Sequence, residues 1–131
     1  MSARRRTVGI SLVAAALLLG GCGTVSDDEV RKVATTFAAT HDADTRCALL
    51  APATVATLTE QESSTCPDAI GKLRLGSGRP VAVQVWGEEA QVKLTDDTLF
   101  LTRTPHGWRV MAAGCRFRNE QRPYDCQLEG S

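Results

Sequence analysis

Apolar residues recur at helical intervals in the first part of the chain after position 26, and at strand intervals past position 80. Val30, Val33, Ala34, Phe37 and Ala38 fall three and four apart, which lines one face of a helix running to about Thr40. Ser26-Asp27-Asp28-Glu29 just ahead of that stripe fits a capping box, and its three carboxylates suit the positive end of a helix dipole. His41-Asp42-Ala43-Asp44 interrupts the stripe, with Asp44 placed to cap a short second helix over residues 45–50. Ala51-Pro52 marks the next boundary, because the residue before a proline avoids helical backbone while proline suits a first helical position. Val55 and Leu58 then face inward on a third helix to about Thr59, and Pro67 opens a further helical turn reaching Lys72.

Beyond Gly76-Ser77-Gly78 the period changes to two. Val81, Val83 and Val85 face one way, Ala82 and Gln84 the other, as in a half-buried strand. Gly87-Glu88-Glu89 turns the chain into a strand over residues 90–94, and Asp96-Asp97 turns it into another over 98–104. Pro105-His106-Gly107 leads to a fourth strand over 108–115, and residues 125–128 supply a short fifth. Turns this tight join antiparallel neighbours, since parallel pairing needs a longer crossover. Helices first and a meander after them predict an α+β domain whose helices cover one face of an antiparallel sheet of four to five strands.

The start of the chain follows another logic. Arg4, Arg5 and Arg6 precede an uncharged run over residues 7–21, too short in its apolar part to span a bilayer and ending in small residues. It reads as an export signal. The run closes on Leu19-Gly20-Gly21-Cys22, which resembles the box of bacterial lipoproteins, where a diacylglyceryl group is attached to the cysteine and the leader is cut before it. The resemblance implies a signal peptide at 1–21, lipid attachment at Cys22, a tether at 22–26 and one domain at 27–131. The implied address is the outer face of the cytoplasmic membrane, held there by acyl chains.

Composition sharpens this picture at two points. The 15 basic and 15 acidic residues cancel, but the three leader arginines distort the balance, and 12 basic residues against 15 acidic ones remain after cleavage. A slightly negative domain has the wrong sign for a nucleic-acid partner. The five cysteines resolve once Cys22 is set aside, leaving Cys47, Cys66, Cys115 and Cys126, an even number in an exported protein and so a disulfide framework. Four cysteines permit three connectivities. The local one, Cys47 with Cys66 and Cys115 with Cys126, is favoured because each pair brackets a turn that would otherwise be loose. No pair of cysteines has metal-ligand or redox spacing, and no phosphate loop, nucleophile elbow or zinc-protease motif occurs, so no cofactor or metal is expected.

The order of helices and strands resembles the cone-shaped NTF2-like, or cystatin-like, fold, in which a long first helix lies in a curved sheet. More closely, CALLAPAT at 47–54, LFLTR at 99–103, GWRVMAAGC at 107–115 and RPYDCQLEG at 122–130 resemble a group of small actinobacterial lipoproteins that has no established activity to carry over. The fold implies a pocket at the mouth of the cone. His41, Asp44, Trp86, Arg103 and Trp108 are its candidate residues, with an arginine to pair an anion and tryptophans as walls. The expected role is a non-catalytic module that binds a small ligand or another envelope protein. The alternative is an NTF2-like isomerase or hydrolase with His41 as base and Asp42 or Asp44 orienting it. Arg116, Arg118 and Arg122 form a basic cluster in the last loop, interspersed with Glu120 and Asp125, and read as a solvated loop.

Overall fold

The computed structural model describes residues 22–130. Four helices, α1 (Cys22–Ala39), α2 (Ala43–Ala48), α3 (Pro52–Glu62) and α4 (Cys66–Gly71), precede five strands. These are β1 (Pro80–Trp86), β2 (Glu89–Leu94), β3 (Thr98–Thr104), β4 (Gly107–Phe117) and β5 (Tyr124–Glu129), joined as an antiparallel meander in sequence order. The class is α+β, as the change of period indicates. The leader lies outside the described residues, and nothing in the structure bears on it. No helix among the described residues is long and apolar enough to cross a membrane.

The α1 stripe does what its spacing requires. Val30, Ala34, Phe37 and Ala38 are buried, against Ala90, Val92 and Leu94 of β2, Leu99 and Leu101 of β3, and Trp108 and Val110 of β4 in one core. Each fully buried Leu or Phe contributes roughly 1.5–3 kcal/mol relative to exposure, so this stripe and the inner face of the sheet hold the domain together. No helix among the described residues covers the opposite face of the sheet. There Phe100 and Tyr124 meet edge to face at 4.9 Å, and Gln91 Nε2 donates to the Tyr124 hydroxyl at 2.7 Å.

Two helix starts differ from expectation. α1 is already helical at Cys22, the first described residue, so Ser26 lies inside the helix and the Ser26 box does not open it. Extending an existing helix adds one bond per residue fixed, and Ser and Asp cost only tenths of a kcal/mol there, so the capping signal is overridden. Residues 22–26, the stretch expected to be a short tether, are helical backbone continuous with the rest of α1. The second helix is capped by Asp42, two residues before Asp44, with the Asp42 carboxylate accepting from the Thr45 backbone N–H at 2.9 Å. Asp42 has extended backbone, which a cap requires, whereas Asp44 is already in the first helical turn.

Long-range ties fix the helices to the sheet. Val110 N–H donates to Leu49 O and Ala51 N–H to Val110 O, both at 2.8 Å, forming a parallel bridge at Leu50 between the α2–α3 link and β4. On β4 a bulge leaves Met111 without an opposite residue, since Phe100 pairs with Ala112 and Leu101 with Val110. The freed Met111 carbonyl accepts from the buried Thr54 hydroxyl at 2.9 Å and from Gly130 N–H at 3.0 Å, locking α3 onto the sheet. Disulfides join Cys47 to Cys66, tying α2 to α4, and Cys115 to Cys126, which stand opposite each other on β4 and β5. Such bridges persist in oxidising compartments, which places the domain outside the cytoplasm.

Candidate functional site

A cleft of about 270 Å³ opens where the flank of α1 stands off the sheet. Glu29, Lys32, Val33 and Thr36 supply the α1 wall, Leu49 the wall from the end of α2, and Trp108 the floor. The geometry follows from the local fold. Glu29, Lys32, Val33 and Thr36 recur at helical spacing beside the buried stripe, and the Leu49–Val110 bridge brings the second wall alongside β4. Gly107, with φ of 96°, makes the turn that swings Trp108 inward, where it is 2% exposed.

The cleft is apolar within and charged at its lip. Lys32 and Glu29 are exposed, and neither belongs to an ion pair among the described residues. The Trp108 indole N–H is buried and has no acceptor among the described residues. An unsatisfied buried donor costs about 1–3 kcal/mol, and an interior rarely keeps one without a reason. Ligand sites span roughly 300–1,000 Å³, and an apolar cavity of about 150 Å³ takes up benzene, so this cleft suits a small ligand and not a large cofactor.

A larger cleft of about 360 Å³ lies by Arg118, Asn119, Arg122 and Asp125 in the last hairpin, but its polar groups serve the loop itself. Arg118 pairs with Asp125 at 2.6 Å, and the Asn119 side chain accepts from the backbone N–H groups of Gln121 and Arg122. The guanidinium of Arg118, through its hydrogen bond and then its charge, holds the Asp125 carboxyl below its ordinary value of 3.8, with Arg122 adding to the effect. All three arginines of the basic cluster are exposed, but only Arg118 is paired within the loop, and Arg116 lies on β4, where the sequence had placed it in the loop.

The candidate residues are dispersed. Trp108 floors the cleft, and Arg103, exposed, is its direct cross-strand neighbour. Trp86 ends β1 at 52% exposure, and His41 and Asp44 are exposed and do not line the cleft. Asp42, named as an orienter, spends its carboxylate on the cap of α2, and the Thr45 hydroxyl and backbone N–H hold its pKa below the ordinary value. His106 is exposed in the β3–β4 turn, and Arg109 donates to the Trp108 carbonyl at 2.9 Å. Among the described residues no group of three His, Cys, Asp or Glu side chains is placed to hold a metal ion. Glu29, Lys32, Thr36 and Leu49 were not legible as site residues, because on a helix wheel the first three are ordinary polar flank. No family model, curated protein or solved structure compared with the chain matches it.

Proposed function

We propose that the chain is a membrane-tethered, non-catalytic binding module of the cell envelope, whose cleft over Trp108 takes a small amphipathic ligand. The observation that carries this reading is the cleft itself: apolar walls, an indole floor whose N–H has no acceptor among the described residues, and at the lip, beside Glu29, a Lys32 with no ion-pair partner among them. An apolar body in the cleft removes surface from water, Lys32 attracts an anionic head, and an acceptor that displaces part of the wall satisfies the indole N–H. The tether rests on the leader and the lipoprotein box at Cys22, and the two disulfides support the address.

Trp86 and Trp108 are the only tryptophans, so Trp86→Phe leaves Trp108 as sole reporter. Titrating that variant with medium-chain fatty acids such as octanoate is expected to change Trp108 emission saturably, and Val33→Phe, which fills the cleft, is expected to abolish the change. An unsaturable signal, or one that survives Val33→Phe, defeats the binding reading. For the tether, Cys22→Ala is expected to move the protein from the detergent phase to the aqueous phase, and unchanged partitioning defeats it.

A further inference from the structure

Four large hydrophobic side chains stand out in solvent among the described residues, and two of them, Val81 at 57% and Trp86 at 52%, lie on the edge strand β1. No residue of β1 is buried: Val83 and Val85, which join the core, remain only half covered. The free main-chain groups of this edge follow from the hairpin. Its two-residue loop, Gly87 with φ of 65° and Glu88, makes Trp86 and Glu89 a hydrogen-bonded pair, so Trp86, Gln84 and Ala82 point their N–H and C=O groups at β2. Val83 and Val85 point theirs outward, and no hydrogen bond from another described element meets them.

The other edge of the sheet is guarded differently. β5 carries Asp125 and Glu129 and follows Pro123, the devices that keep an edge from pairing. β1 has no charge from Pro80 to Trp86. Its charges sit just beyond its ends and are opposite in sign: Arg79 before it and Glu88 after it, neither in an ion pair among the described residues.

We propose that β1 is the interface of a two-fold homodimer, pairing antiparallel with β1 of a second copy. Antiparallel pairing sets Arg79 of each copy beside Glu88 of the other, whereas parallel pairing would set like charges together. The register places Gln84 opposite Gln84 of the second copy. Val83 then faces Val85, and these residues exchange main-chain hydrogen bonds clear of the bulge between Pro80 and Ala82 and of Pro80, which has no N–H. The contact is isologous, and its axis stands perpendicular to the sheet. Both helical layers therefore lie on one face of a continuous sheet, so the two chains can be tethered to one membrane. The exposed flanks of Val83, Val85 and Trp86 are covered in the same step.

The test is crosslinking of the full chain in isolated membranes. Opposed residues of a non-hydrogen-bonded pair have Cβ atoms about 4.5–5.5 Å apart, so Gln84→Cys is expected to give a disulfide-linked species of twice the chain mass under mild oxidation. Lys93→Cys, on the same face but one strand in, is expected to give none. In the Gln84→Cys background, Arg79→Glu replaces attraction with repulsion at two places per dimer and is expected to lower the crosslinked fraction about fivefold. Adding Glu88→Arg is expected to restore it. The proposal is overturned if Gln84→Cys gives no dimer while Cys47–Cys66 and Cys115–Cys126 form normally, if its adducts have another mass, if Lys93→Cys crosslinks equally, or if the charge reversal and its compensation change nothing.

Discussion

Asp97 holds the β2–β3 turn to the middle of β4, and its replacement should be costly for a half-exposed residue. Its Oδ1 accepts from the Thr98 N–H at 2.7 Å and the Cys115 N–H at 2.9 Å, and its Oδ2 from the Gly114 N–H at 3.0 Å. Successive N–H groups of a regular strand point to opposite sides. Gly114, with φ of 65°, breaks that alternation and lets two neighbouring donors converge on one carboxylate. The 72–79 segment closes over the same side chain, since a Cβ on Gly76 would come within 2.3 Å of the Asp97 Cβ. Hydrogen bonds to a charged group contribute about 1.5–3 kcal/mol each, and partial solvation favours the low end, so Asp97→Ala should cost about 3 kcal/mol through its two long-range bonds. A domain of this size is stable by about 5–15 kcal/mol, so the loss is a large fraction. In urea unfolding with the disulfides intact, an m-value of about 2 kcal/mol/M turns it into a midpoint lowered by about 1.5 M. Asp97→Asn keeps the oxygen that serves Thr98 and Cys115 and should cost about half as much. An alanine variant within about 0.5 kcal/mol of the parent, or an asparagine variant as unstable as alanine, refutes the clamp.

Leu101, fully buried on the central strand, should lose about 2–5 kcal/mol on truncation to alanine, measured by the same urea titration. Replacing Cys47 and Cys66 together by alanine releases a loop of 19 residues and should cost about 3 kcal/mol, with the other bridge retained on peptide mapping. Acid unfolding should show the two depressed carboxyls. Asp42 and Asp125 have folded pKa values below 3.8, so their contribution is complete above that value and is lost as the pH falls through the folded values. Asp42→Asn and Asp125→Asn together should therefore flatten the stability profile below about pH 4 and leave its shape near neutrality unchanged.

The sheet was legible because its signals are local. Period-two valines, then Gly87-Glu88, Asp96-Asp97 and Pro105-His106-Gly107, state where each strand ends, and the meander follows from turns too short for anything else. The helix starts were less so: Ser26 and Asp44 carry capping chemistry, but which candidate caps depends on whether the backbone is already helical, and at Cys22 and Ala43 it is. The cleft was legible only at Trp108. Its walls meet because Val110 bonds to Leu49 and Ala51, some 60 positions away, and no periodicity encodes such a contact. Asp97 likewise looks like a plain turn residue until Gly114 turns toward it. Polar residues whose role is set by a distant partner carry no mark in their own neighbourhood.

The cleft over Trp108 is the central claim, and native mass spectrometry of the full chain purified from its cells tests it most directly. The predicted result is a small-molecule adduct on the parent chain that Val33→Phe lacks while retaining both disulfides. An adduct equally abundant on both, or none on the parent chain, contradicts it.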